Sequence, residues 1–218
     1  MNQISVSVMC MDLLNLQDHL SKLDEAGADL YHIDIMDGQY VPNFALNVDV
    51  MKAIRKVSRT PMDVHLMVSN PDEYIETFAK AGADIIIPHL ETLRHPIRTL
   101  QHIRSLGKKA GVAISPSTDI SPIAYMLDEL DLVCVMTVNP GFSGQRMIPS
   151  AIGKIAALRK MFDNAHRNIR IMADGHVQKE TAPLMTTAGA DVLVMGSSGL
   201  FNHAPEEYAK VISFYQNL

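Results

Sequence analysis

Thiols are scarce. Cys10 and Cys134 are the only two, each inside an apolar run. Two cysteines are too few for a disulfide scaffold, and both are expected to be buried in a chain kept in the reducing cytoplasm. Charge of one sign is also lacking: 19 Lys and Arg stand against 24 Asp and Glu, a net charge of -5 and a pI near 6.0. No basic field therefore invites nucleic acid or an anionic membrane. No apolar run approaches the roughly 20 residues of a membrane span. Met1-Asn2-Gln3-Ile4-Ser5 has no basic stretch followed by an apolar one, so no signal peptide is expected. No linker or low-complexity segment marks a second domain. What remains is a globule with 47% hydrophobic and 20% charged residues. Residues 1–218 are expected to form one domain with a substantial core.

A repeated phrase organises that domain. Ala26-Gly27-Ala28-Asp29, Ala81-Gly82-Ala83-Asp84 and Ala188-Gly189-Ala190-Asp191 each precede an apolar run. In each, a helical pattern ends, Gly caps it, and a buried strand begins. The glycines lie 55 and then 107 residues apart, close to two and four copies of a unit of about 27 residues. Eight such units, each a strand and a helix, nearly fill the chain, as a closed (β/α)8 TIM barrel requires. The strands are expected near 3–9, 30–36, 62–67, 84–89, 109–114, 131–137, 169–174 and 191–196. Helical periodicity lies between them, as at Leu14 to Ala26, Pro149 to Asn164 and Glu206 to Tyr215. The rival architecture, an open doubly wound sheet, calls for a glycine-rich dinucleotide turn after its first strand, and none is present.

In such a barrel the site lies at the C-terminal ends of the strands. There the second strand reads His32-Ile33-Asp34-Ile35-Met36-Asp37-Gly38. A side-chain period of two turns His32, Asp34 and Met36 to one face. Two ionisable groups aimed into one interior are costly unless they bind something. His65 ends the third strand similarly, and Asp174 ends the seventh. A lone strand-end histidine is ordinarily a hydrogen-bonded core residue. Two histidines and two aspartates together point instead to one divalent cation. His89 and Glu91, after the fourth strand, are expected behind that set or in solvent. The other histidines receive no role, except that His176 stays open.

Two glycine-bearing loops suit a phosphate: Asn139-Pro140-Gly141-Phe142-Ser143-Gly144-Gln145 and Gly196-Ser197-Ser198-Gly199. Glycine lets backbone N–H groups approach an anion, and barrels often hold phosphate beside their last strands. Met9, Met36, Met67 and Met136 recur at strand ends, either as adaptable core filler or as an apolar cap over a planar intermediate.

These residues resemble the ribulose-phosphate 3-epimerase family over essentially the full chain. The resemblance is carried by Ser5-Val6-Ser7, by His32 to Gly38, by Val41-Pro42-Asn43, by Asp63-Val64-His65-Leu66-Met67, by Met136 to Gln145 and by Ala173-Asp174-Gly175. It implies a ribulose-phosphate-binding barrel and one divalent metal held by His32, Asp34, His65 and Asp174. It implies Asp34 and Asp174 as the acid/base pair and Ser7 as a substrate contact. The loops at Gly141 to Gly144 and at Gly196-Ser197 are implied around substrate and phosphate, with His65, Gly175 and His176 as further contacts. It also implies a homo-oligomer. Met9 to Leu14 and Gly199 to Ala204 are similar to the allulose-6-phosphate 3-epimerase branch. His176 and Ser143 stand where pentose-phosphate enzymes usually carry glycine.

The expected reaction is 3-epimerisation of a small phosphorylated ketose, allulose 6-phosphate to fructose 6-phosphate. The alternative is ribulose 5-phosphate to xylulose 5-phosphate. A proton alpha to the C2 carbonyl leaves one face and returns on the other, so two carboxylates on opposite sides exchange the roles of base and acid. The donor set suits Zn, Mn, Fe or Co. Two rival classes are a metal-dependent hydrolase, which activates water and releases a smaller product, and a catalytically silent sugar-phosphate or metal-binding barrel.

Overall fold

The computed structural model describes residues 1–218. Eight parallel strands close into a barrel: β1 (Gln3–Ser7), β2 (Leu30–Asp37), β4 (Met62–Met67), β5 (Ile85–Pro88), β6 (Lys109–Ile114), β7 (Leu132–Met136), β8 (Arg170–Asp174) and β9 (Val192–Met195). β1 pairs with both β9 and β2, which closes the ring. The two-residue β3 (Phe44–Ala45) pairs antiparallel with the end of β2 at the mouth.

Around the barrel run α1 (Leu16–Glu25), α2 (Val48–Val57), α3 (Ile75–Lys80), α4 (Pro96–Ser105), α5 (Ser150–Asn164), α6 (Ala182–Thr187) and α7 (Tyr208–Gln216). The expected eight-fold alternation lacks one helix. Between β6 and β7 the crossover is only a 3-10 turn, Ser121–Tyr125. Pro116 and Pro122 lie in that segment, and proline disfavours helix both at itself and at the residue before it. The first strand also stops at Ser7, short of residue 9, because the chain enters a 3-10 turn at Val8–Cys10 that carries Met9 and Cys10 onto the rim.

The repeated phrase has a double use. Gly27, Gly82 and Gly189 hold φ of 81°, 106° and 108°, the left-handed conformation that ends a helix. The aspartate two residues on then accepts a backbone N–H from the neighbouring strand. Asp29 takes that of Ile4, Asp84 that of Met62 and Asp191 that of Ile171, each at 2.8 Å. Asp131, outside the phrase, does the same for Ala110 at 2.8 Å. These carboxylates stitch the strand starts, at the end of the barrel opposite the site.

Strand alternation separates two cores. Ile85, Ile87, Leu132, Cys134, Met136, Met172, Val192 and Val194 fill the barrel interior. Tyr31, Ile33, Ile35, Val64, Leu66, Ile86, Val133 and Ile171 pack in the larger core beneath the helices. In the middle of β2 and β4 the inward positions are polar instead: His32, Asp34, Asp63 and His65, all buried.

Candidate active site

The register between β2 and β4 pairs His32 with Asp63, Asp34 with His65 and Met36 with Met67. Inward alternation on both strands therefore makes a compact polar block. Asp174, at the end of β8, reaches it from across the barrel. Nε2 of His32 lies 3.2 Å from Oδ1 of Asp34 and 3.7 Å from Oδ2 of Asp174. Nδ1 of His65 lies 3.4 Å and 3.6 Å from the same two oxygens. One donor atom from each of the four falls within 4.8 Å of all the others. Two imidazoles and two carboxylates at such separations are a donor set that a divalent cation can bridge.

Each member has a support. The Ser7 hydroxyl donates to Oδ2 of Asp34 at 2.9 Å, leaving Oδ1 to the histidines. Nδ1 of His32 meets Oδ1 of Asp63 at 2.5 Å, and Ser5 donates to the other oxygen of Asp63. His65 turns Nε2 to Nε2 of His89 at 2.9 Å. Thr137 donates to the carbonyls of Asp174 and Gly175. Gly175 itself is at φ 113°, and a Cβ there would meet Val138 at 2.6 Å, so the turn that aims Asp174 admits only glycine.

The electrostatics ask for positive charge at this point. Burial works against an imidazolium at His32, yet the Asp34 and Asp63 carboxylates outweigh it and raise its pKa well above the ordinary value. The field that favours a proton there equally favours a metal cation. Burial pushes the Asp34 carboxyl up, but His32 and His65 pull it well below the usual range. Burial also raises Asp174, and although His32 pulls the other way, the added charge of Asp34 keeps that carboxyl above its ordinary value. Burial keeps His89 neutral, its pKa down to about 4 despite Glu91 beside it.

Above the block opens a cleft. Ser7, Asp34 and Asp174 line it, as do Met9, Met36, Met67 and Met136. So do the residues of both glycine loops, Gly141, Phe142, Ser143, Gly144, Gly196 and Ser197, together with Gly175 and His176. The two loops thus share one cavity with the aspartates, and the four methionines surround the same space. Asn43 donates to the carbonyl of Gly141 at 2.7 Å and ties the β2 rim to the β7 loop.

Two expectations change. The family resemblance implies His65 against substrate as well as metal, but it is fully buried, with Nε2 on His89 and Nδ1 beside His32, and does not line the cleft. Cys10, expected in the core, is half-buried and lines the cleft, because β1 ends early. His89 and Glu91 fall as expected, His89 fully buried behind the cluster against His65 and Glu91 with 24% side-chain exposure. Asp63 and Ser5 join the site without having been singled out by the sequence pattern. A signal for them exists, since each sits two residues before a noted inward residue of its own strand.

A model of the Ribulose-phosphate 3 epimerase family matches residues 3–201. Ribulose-phosphate 3-epimerase of Bacillus subtilis (strain 168) is 45% identical over 199 residues, 91% of this chain and 92% of that protein. The enzyme of that name from Rhodobacter capsulatus is 44% identical, covering 97% and 92%. Ribulose-5-phosphate-3-epimerase, chloroplastic, of Arabidopsis thaliana is 41% identical, covering 96% and 74%. Among solved structures, a 3-hexulose-6-phosphate synthase superposes with a TM-score of 0.68 at 16% identity, covering 98% of this chain and 99% of that one. A mutant tryptophan synthase α-subunit from Pyrococcus furiosus gives 0.71 at 15%, covering 100% and 98%. At such identities these two speak for the barrel alone.

Proposed function

The chain belongs to the ribulose-phosphate 3-epimerase family and is an isomerase, and from that premise we propose that it interconverts D-ribulose 5-phosphate and D-xylulose 5-phosphate. The observation that carries the chemistry is the convergence of Asp34 and Asp174, from strands across the barrel, on one histidine-lined point under a cleft. The names of the relatives favour the pentose phosphate over the hexose phosphate that Met9 to Leu14 and Gly199 to Ala204 suggest.

His32, Asp34, His65 and Asp174 hold one divalent cation of the Zn, Mn, Fe or Co type. When bound, it supplies Lewis-acid charge to the oxygens on which negative charge develops as the C3 proton leaves. Asp34 takes that proton from one face and Asp174 delivers one to the other, or the reverse for the opposite epimer. Ser7 holds Asp34 by the oxygen turned away from the histidines. Backbone N–H groups of the Gly141–Gly144 and Gly196-Ser197 loops bind the phosphate and fix C3 between the two carboxylates. Met9, Met36, Met67 and Met136 keep water from the reacting carbon. Leu14 and Phe44, 95% and 79% exposed on the rim side, are apolar surface for assembly into a homo-oligomer.

A second reading, allulose 6-phosphate to fructose 6-phosphate, is favoured by His176 and Ser143, which line the cleft. Specificity constants for the two ketose phosphates decide between them. The pentose reading expects at least a tenfold preference for ribulose 5-phosphate, and the opposite preference overturns it. Formation of a lighter hydrolysis product, or no turnover of either sugar, overturns both.

A further inference from the structure

Behind the four-residue cluster a chain of hydrogen bonds runs from the buried His65 and His89 out to the partly exposed Glu91, and the proposed chemistry does not use it. Nε2 of His65 is 2.9 Å from Nε2 of His89. Nδ1 of His89 is 3.0 Å from Oε2 of Glu91 and 2.9 Å from the Tyr40 hydroxyl oxygen. Oε1 of Glu91 accepts from the Ser115 backbone N–H at 2.7 Å and from the Thr118 hydroxyl. The segment bearing Ser115 and Thr118 is pinned in turn by Lys154, whose ammonium donates to the carbonyls of Ser115, Pro116 and Thr118 at 2.8, 2.9 and 2.6 Å.

With a cation between Nδ1 of His65 and the carboxylates of Asp34 and Asp174, such a chain has one self-consistent polarity. A carboxylate oxygen only accepts, so the Nδ1 facing Glu91 must carry the proton of His89. Nε2 of His89 is then a lone pair. Across 2.9 Å it can only accept, so Nε2 of His65 must be N–H. That leaves Nδ1 of His65, which faces Asp34, Asp174 and, at 3.2 Å, Nε2 of His32, with its lone pair for the cation. The opposite polarity puts a lone pair of His89 against the Glu91 carboxylate. It also points an N–H of His65 at the place a cation would occupy.

We infer that Glu91 and His89 are positioning residues that set the tautomer of His65 and thereby make its Nδ1 a metal ligand. The inference rests on the metal reading above. It assigns work to a carboxylate that touches neither the cluster nor the cleft, from the loop after β5. Outer hydrogen-bond partners of metal-bound histidines commonly govern affinity by 10- to 100-fold.

Glu91→Gln is the informative variant because it keeps the shape. The Ser115 N–H and the Thr118 hydroxyl claim the amide oxygen, which leaves the amide NH2 facing Nδ1 of His89. His89 then accepts at Nδ1, carries its proton on Nε2, and reverses His65. Zn2+ affinity, read by chelator competition on the full chain, is expected to weaken about 10- to 100-fold. The far-ultraviolet spectrum and thermal midpoint should change little. Tyr40→Phe, which leaves the carboxylate acceptor in place, should stay within about threefold. A Glu91→Gln protein that binds Zn2+ within threefold of wild type overturns the relay. Should that variant fail to fold, long-range 1H–15N correlation on the wild-type Zn2+ form reads the tautomers directly. The expected pattern is His65 protonated at Nε2 and His89 at Nδ1, and either reversed pattern overturns the inference. Wild-type protein lacking a site for one Zn2+ per chain, or a His65→Ala variant of unchanged affinity, overturns the metal reading itself.

Discussion

The Ser7 hydroxyl donates to Oδ2 of Asp34 at 2.9 Å, while Oδ1 of the same carboxylate lies 3.2 Å from His32 and 3.4 Å from His65. One carboxylate is therefore divided between a ligand-like oxygen and a separately held one. Ser7→Ala removes the second support only. A hydrogen bond to a charged group contributes about 1.5–3 kcal/mol, so kcat is expected to fall about 10- to 100-fold. Metal content, by elemental analysis, should stay at wild-type level. An unchanged kcat removes Ser7 from the machinery.

At the other end of the barrel, Asp84 accepts the Met62 N–H and a bond from Arg55, each at 2.8 Å. Asp84→Ala leaves that strand start without its acceptor. Unfolding in urea should show a loss of about 1–3 kcal/mol, with kcat of the folded fraction unchanged. A drop in kcat without a drop in stability contradicts the assignment of this end to stability alone.

The Asp84 case shows why the fold could be read from the sequence. The Ala-Gly-Ala-Asp phrase is local chemistry, a left-handed cap followed by a carboxylate for the next strand's N–H. Its spacing therefore counts strands directly. It does not count helices, and the crossover with Pro116 and Pro122 kept the period without forming one. His32, Asp34, His65 and Asp174 stand out because an ionisable group on an apolar strand is costly to bury unless it binds something. The same rule covers Asp63, which looks like a strand start until the β2–β4 register sets it beside His32, and Ser5 enters the site by donating to Asp63. Tyr40 gave no signal. It is a loop residue whose partners His89 and Ser115 lie 49 and 75 positions away, and only the folded barrel brings them together.

Asp37 provides a pH test away from the four-residue cluster. Burial pushes its carboxyl up, but backbone N–H bonds from Ser69, Gln39 and Tyr40 outweigh it and hold the pKa below the ordinary value. Those bonds, at 2.8, 2.9 and 3.0 Å, pin the start of the mouth loop. A carboxyl whose folded pKa is depressed stabilises the fold above its unfolded pKa of about 3.9, and loses that contribution as pH falls toward the folded value. Wild type should exceed Asp37→Asn by about 1 kcal/mol near pH 6, and the gap should close below about pH 4. Urea titrations of both proteins at pH 6 and pH 3, at fixed metal concentration, measure it. A gap that widens in acid refutes the sign.

Asp34 and Asp174 approach the cluster from β2 and β8, so each can serve a different face of a sugar bound in the cleft. A single shuttling base tends to return the proton it took, whereas two bases exchange with solvent independently. Both residues are also proposed ligands, and loss of activity alone proves little. The useful variants are Asp34→Asn and Asp174→Asn with metal occupancy measured first. Asparagine keeps the shape and an oxygen donor but cannot take the proton. With one epimer in deuterated water, the variant lacking the base should show neither exchange nor inversion at C3. The variant lacking the acid should wash in deuterium slowly without inverting. Starting from the other epimer, the two variants should exchange behaviours, because base and acid swap with direction. General acid–base catalysis by one positioned group contributes about 10²- to 10⁴-fold, so each variant should lose at least two orders of magnitude in epimerisation. A metal-loaded variant of either aspartate that epimerises at near wild-type rate defeats the two-carboxylate mechanism, since the remaining carboxylate would then have to serve both faces.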